Sequence, residues 1–242
     1  MAKLNNIIHV DDDIVVIDKP PGYHVHPPEQ QDAYPVPREK ILLYRLRDHF
    51  KKYIYPVHRL DVATSGLLVY AFSSEAAGAL SQQWSEKVAK KYWVIARGHF
   101  SEPEFTVEIP LLSDSSQEML PCKTHFKRLR QIELPYAVGK KFKTAQYSWL
   151  EAELHSGRFH QIRRHLNRIS HPVIGDGAHG DSHHNRFFRE TLGIPGLCLR
   201  SQELSFPHPR TSEKMSFVAP PSEKWLKIHN LFTDFDAYLK QL

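Results

Sequence analysis

An aspartate, an arginine, a histidine and two hydroxyl residues fall within the stretch His58-Arg59-Leu60-Asp61-Val62-Ala63-Thr64-Ser65-Gly66, immediately before the apolar run Leu67-Leu68-Val69-Tyr70-Ala71-Phe72. A charged, hydroxyl-rich turn at the start of a strand presents polar groups at a sheet edge. A carboxylate held there can act as a nucleophile, and an adjacent arginine can grip phosphate or take the place of an extruded base. The same residues equally suit a structural turn, with Asp61 capping it, Arg59 pairing with Asp61 and Thr64-Ser65-Gly66 shaping the chain. Spacing alone leaves both readings open.

A second basic cluster is Gly157-Arg158-Phe159-His160-Gln161-Ile162-Arg163-Arg164-His165-Leu166. Phe159, Ile162, Leu166 and Ile169 recur at helical spacing, which predicts a helix from after Gly157 to about Ile169 with these four as its buried stripe, closed by Pro172. At about 100° per residue Arg163 lies on the side of Phe159 and Leu166 and reaches inward, whereas Arg164 and Arg168 point away. Those two suit phosphate contacts or a solvated face. His24, His26, His179, His183 and His184 share no compact metal-ligand spacing, so no metal is expected, and the last three read as a polar loop that orders a cleft.

The elements that must position these groups read as alternating strands and helices. Ile14 to Ile17 is a short buried strand entering the Lys19-Pro20-Pro21-Gly22 turn, and a proline-rich loop with Pro27, Pro28, Pro35 and Pro37 follows. Gly66 to Phe72 is a strand, after which Ser73 or Ser74 caps a helix carrying Leu80, Trp84 and Val88. Lys91 to Arg97 is a strand with Tyr92, Val94 and Ala96 on one face, so Tyr92 is placed to face a cleft. Lys143 to Leu154 alternates Ala145, Tyr147 and Trp149 with Gln146, Ser148 and Leu150. Strands at Leu197 to Phe206 and Lys214 to Val218 precede a helix from about Ser222 with Trp225 and Ile228 as anchors. The expected class is α+β: a mixed, largely antiparallel sheet with flanking helices, in one continuous domain over residues 1–242 without internal repeats.

Composition bounds the function. At 242 residues and 41% hydrophobic content the chain can bury a core, and its formal charge of +5 with a pI near 9.1 suits an anionic partner without proving one. Cys122 and Cys198 are too few and too far apart for a disulfide framework or a thiolate metal site. No signal-like or membrane-length apolar run is evident, so a cytoplasmic protein is expected.

The His58–Gly66 segment resembles the His-Arg-Leu-Asp-x-x-Thr-Ser-Gly signature of the RluA family of pseudouridine synthases. The resemblance is collinear over nearly the whole chain. Ile14 to Gly22 is similar to the family's opening strand and Lys-Pro-x-Gly turn, and Lys91-Tyr92 with Gly98 to its Lys-Tyr strand. Gly157 to Leu166 resembles its Gly-Arg-x-His-Gln-Ile-Arg-x-His-Leu motif, and His171 to Asp176 its His-Pro-Ile-x-Gly-Asp block. The resemblance implies a pseudouridine synthase fold with a central cleft and no separate S4-like module. It implies Asp61 as the catalytic carboxylate, Tyr92 as the aromatic that stacks on the target base, Arg163 as the basic partner of Asp61 and Arg59 as an aid to base extrusion, with Leu197 and Leu199 walling the pocket. Leu199-Arg200-Ser201 departs from the family's usual Leu-His-Ala, so the resemblance assigns Arg200 no role.

The reaction this implies breaks the bond from ribose to the uracil nitrogen, turns the retained base and rejoins it through a ring carbon, by a covalent or a glycal route. It needs no cofactor. Gly175-Asp176-Gly177-Ala178-His179-Gly180-Asp181 with Asn185-Arg186 resembles the pattern of a subgroup acting on uridine 65 in the acceptor-stem region of tRNA, so tRNA is the expected partner, ribosomal RNA its competitor, and His179 an RNA contact. No membrane or obligate protein partner is expected. The alternative is a non-catalytic RNA-binding protein on the same scaffold, against which Asp61, Tyr92 and Arg163 argue.

Overall fold

The computed structural model describes residues 6–28, 35–84, 87–113, 116–139 and 141–240, so the middle of the expected proline-rich loop lies outside the described residues. In chain order the elements are β1 (Ile7–Val10), β2 (Ile14–Lys19), α1 (Leu42–Phe50), β3 (Tyr55–Pro56), β4 (Ser65–Ala71), α2 (Ser74–Gln83), β5 (Ala89–Arg97), β6 (Glu104–Val107), β7 (Leu111–Leu112), β8 (Met119–Leu120), β9 (Thr124–Leu134), β10 (Ala145–Leu154), α3 (Gln161–Arg168), α4 (Ser182–Glu190), β11 (Leu199–Pro207), β12 (Lys214–Val218), α5 (Glu223–Thr233) and α6 (Phe235–Leu239). They group into two compact units, one holding the residues up to Lys90 with Arg200–Ala219, the other Lys91–Leu199 with the residues from Pro220 onward.

In the first unit β2 and β4 are antiparallel, from Ile14 opposite Ala71 to Lys19 opposite Gly66. β1 extends this pair beside β2, and β3 covers the end of β4. β11 joins β4 in parallel, Arg200 opposite Ser65 and Ser201 opposite Gly66, and β12 runs antiparallel on β11. Ile14 to Ile17 and Leu67 to Ala71 are completely buried, the reason these strands read as unbroken apolar runs rather than alternating ones. Ser73 caps α2 by accepting a hydrogen bond from the Ala76 N–H at 3.1 Å. The helix stops at Gln83, so Val88 lies beyond it, yet Val88 and Trp84 still pack on the core of Ile14, Val16, Leu67 and Leu80.

In the second unit β5, β10, β9 and β6 form an antiparallel array in that order. The alternation expected along β10 holds only at its start: Gln146 is exposed, but Tyr147, Ser148, Trp149 and Leu150 are all buried, because both faces of the strand are covered. Trp149 packs with Trp93 and Trp225, and Ile228 completes the anchor of α5 as expected. Together the units make the α+β, largely antiparallel architecture with flanking helices. No helix among the described residues is long and apolar enough to cross a membrane.

Candidate active site

Asp61 stands in a tight turn, half-buried, where the Thr64 N–H donates to the Asp61 carbonyl at 3.0 Å. What holds the turn is Lys19, the last residue of β2, which is fully buried. Its ammonium donates to the carbonyls of Pro20 at 3.1 Å, Val62 at 3.0 Å and Thr64 at 2.7 Å, while the Gly22 N–H donates to the Val62 carbonyl at 2.7 Å. An ammonium has three donors and all three are used, so the Lys19-Pro20-Pro21-Gly22 turn and the Asp61 turn become one body. Burial pushes the Lys19 ammonium down to about 7, with the negative charge of Asp61 pulling it back up. In the sequence Lys19 stands out only as part of a turn; its role follows from contacts 43 and 45 residues away along the chain.

Two neighbours complete this wall. His58 stacks on Trp84 at 4.3 Å and accepts from the Val69 N–H at 3.1 Å through Nε2, and burial together with the charge of Lys90 pushes it down to about 3, so it is neutral. Arg200 is buried and donates to Asp18 at 2.9 Å, beside Lys19. The family departure at Arg200 is thus an internal ion pair that ties β11 to β2. Arg59 is exposed.

In the second unit the basic motif folds differently from the expected helix. His160 adopts a left-handed conformation (φ 52°), so α3 starts at Gln161, and Phe159 is 42% exposed rather than part of a buried stripe. Gln161 is buried and satisfied on both sides: its oxygen accepts from Ser156 at 2.9 Å and the Arg158 N–H at 3.0 Å, and its amide donates to the Lys123 carbonyl and Thr124. The helix ends not at Pro172 but through Ser170 (φ 66°), whose N–H donates to Asn167 while that of His171 donates to Leu166. Ile169 is only half-buried.

Arg163 does reach inward. Its Nε and Nη2 donate to the two carboxylate oxygens of Asp176, each at 2.7 Å, and both residues are buried. Burial pushes the Asp176 carboxyl up, but Arg163 and the N–H groups of His179 and Ala178 outweigh it and hold it below the ordinary carboxylate value. The loop after Asp176 is a hub: His179 lies 3.0 Å from His160, and Asn185 donates to the Asp176 carbonyl and accepts from the Gly175 N–H. Asp181 caps α4 and pairs with Arg97 at 2.5 Å. Arg164 is half-buried and donates to the Leu112 carbonyl at 3.0 Å, and Arg168 is exposed. Tyr92, Leu197 and Leu199 are buried.

Asp11, Asp13 and His208 bring ligand atoms within 4.8 Å of one another. Their tautomer opposes a cation, because His208 Nδ1 accepts from the N–H groups of Arg210 and Thr211, leaving Nε2 as the donor toward Asp11 and Asp13. Arg210 already neutralises Asp13 at 2.7 Å.

Residues 13–168 match the family model described as RNA pseudouridylate synthase. The chain belongs to the RNA pseudouridylate synthase family. It is 34% identical over 244 residues to tRNA pseudouridine synthase C of Haemophilus ducreyi, covering 95% of this chain and 98% of the relative. It is 35% identical over 240 residues to tRNA pseudouridine synthase C of Vibrio parahaemolyticus, covering 95% and 94%. Among solved structures, human RNA pseudouridylate synthase domain containing 1 superposes with a TM-score of 0.68 at 23% identity, covering 91% of this chain and 86% of that one. The human domain containing 4 protein gives 0.67 at 22% identity, covering 97% and 93%. The synthase is thus an isomerase acting on RNA, and its fold is that of the pseudouridine synthases.

Proposed function

We propose that this synthase isomerises a uridine of tRNA, uridine 65, with Asp61 as the catalytic carboxylate. The observation that carries the assignment is the turn itself: a half-buried carboxylate whose backbone is locked by the three hydrogen bonds of Lys19. Curated relatives named as tRNA enzymes, matched over nearly their whole length, support the choice of RNA.

In this reading the everted uridine places its ribose against Asp61. The bond from C1′ to N1 breaks, the uracil turns, C5 bonds to C1′ and loses its proton, and N1 gains one; atoms and charge balance with no redox carrier or metal. Asp61 serves either by attacking the sugar or by assisting a glycal, and in both cases needs to be ionised and fixed. Arg59, exposed on the same turn, enters the space left by the extruded base. Tyr92 stacks on the uracil, Leu197 and Leu199 wall its pocket, and Arg163 supplies positive charge at the acid. Arg164, Arg168 and His179 contact the RNA backbone. Residues 1–242 act as one catalytic domain, with its RNA in the cytoplasm.

The test is Asp61→Ala on tRNA transcripts, read by mass mapping of pseudouridine. The variant is expected to keep RNA affinity within about twofold and to form no product. Unchanged product would remove Asp61 from the mechanism, and modification of ribosomal RNA with tRNA untouched would replace the substrate.

A further inference from the structure

α1 buries Leu42, Leu43 and Leu46, its Tyr44, Arg45 and Arg47 are half-buried, and exposed Lys40 and Lys52 flank the helix. Between Arg38 and Lys52 the chain carries six lysines and arginines against Glu39 and Asp48. Their placement is more specific than their number. The Lys40 ammonium and the Arg45 guanidinium lie 4.7 and 5.3 Å from the centre of the same ring, that of Tyr23, and Arg38 lies 4.5 Å from the ring of Tyr44. Lys52 sits 5.4 Å from Phe72. Ring faces attract each cation and hold like charges close together, which raises the local positive potential and lowers the ordering cost when an anion arrives. Arg47 donates from its Nη2 to the Ile54 carbonyl, a structural tie.

We propose that the surface around α1, through Lys40, Arg45 and Lys52, docks the sugar-phosphate backbone of the substrate RNA outside the target nucleotide. The proposal rests on the RNA-modifying reading above. α1 runs for about 14 Å, a length over which a nucleic acid helix presents several phosphates. Cations before, within and after the helix suit such a spaced row better than a single compact anion. No base edge is read by such contacts, so the surface adds affinity and leaves the choice of uridine to the active site.

The experiment compares wild type with the triple variant K40Q/R45Q/K52Q on full-length tRNA transcript and on a short stem-loop bearing the same uridine. On tRNA, KM is expected to rise about 10- to 100-fold with kcat held, the slope of log affinity against log salt is expected to fall by about two to three, and KM on the stem-loop is expected to hold. The charge-keeping variant K40R/R45K/K52R is expected to restore KM, which a mere folding defect would not allow. An unchanged KM and salt slope in a wild-type-active background overturns the docking surface alone, whereas a wild type inactive on tRNA overturns the substrate reading. Loss of binding to phosphatidylglycerol vesicles with RNA affinity intact would overturn the proposal in favour of a lipid surface.

Discussion

Arg163 and Asp176 meet as two forks, Nε on one carboxylate oxygen and Nη2 on the other, both at 2.7 Å, with the aspartate side chain fully sealed from solvent. The same carboxylate collects the N–H groups of Ala178 and His179 at 2.9 Å each. Paired guanidinium and carboxylate planes fix orientation as well as distance, so Arg163 is held at a set angle by a loop that follows its own helix. Lys224 builds a comparable anchor on α5, donating to the carbonyls of Pro195, Gly196 and Leu197.

Breaking one side of the Arg163 pair leaves a buried charge uncompensated. Asp176→Asn is therefore predicted to cost roughly 3–5 kcal/mol in urea unfolding. A loss below about 1 kcal/mol would mean that the loop does not depend on the ion pair.

Lys19→Met keeps the stem and removes the ammonium, breaking three hydrogen bonds at once and taking from the Thr64 carbonyl its buried donor, while the Val62 carbonyl keeps the Gly22 N–H. Predicted consequences are a stability loss of about 2–4 kcal/mol and a kcat lowered at least about tenfold, with tRNA affinity little changed. Full activity in this variant would show that the Asp61 turn keeps its geometry without Lys19.

Gly66 has φ 110°, and a Cβ there would stand 2.1 Å from the Ser201 carbonyl oxygen of the parallel partner strand. Gly22 also has positive φ, but nothing lies within 4 Å of its Cβ position. Gly66→Ala is predicted to cost more than about 3 kcal/mol by forcing β4 and β11 apart, and Gly22→Ala only about 1–2 kcal/mol. Equal costs in thermal melts would refute the close approach.

His58 carries a pH signature. Its folded value lies far below 6.5, so as pH falls the unfolded chain takes up the proton first; the stability present above about 6.5 is lost toward about 3. The slope reaches at most about 1.4 kcal/mol per pH unit. Melting temperatures of wild type and His58→Gln measured from pH 7 to 4 are expected to converge, wild type losing more. Parallel curves would exclude His58 as the source.

The motifs and most elements are local properties of the chain and could be read directly. Apolar runs marked β2 and β4, Ser73 and Ser222 marked helix starts, and the His58–Gly66 turn stood out because charged and hydroxyl residues abut a strand. Apolar periodicity runs past two helix termini: Val88 keeps the four-residue spacing beyond the end of α2, and Phe159 keeps helical spacing ahead of His160, whose left-handed conformation sets the start of α3.

Residue types and their spacing determined the α+β class, and the resemblance of the His58–Gly66 motif to a known signature pointed to the family and to the acid to test. Tertiary structure alone decided what holds the turn of that acid, that Asp176 pairs with Arg163, and where Arg200 belongs. Those answers depend on partners such as Thr64 for Lys19 and Asp18 for Arg200, 45 and 182 residues apart along the chain, and only folding brings such pairs within hydrogen-bonding distance.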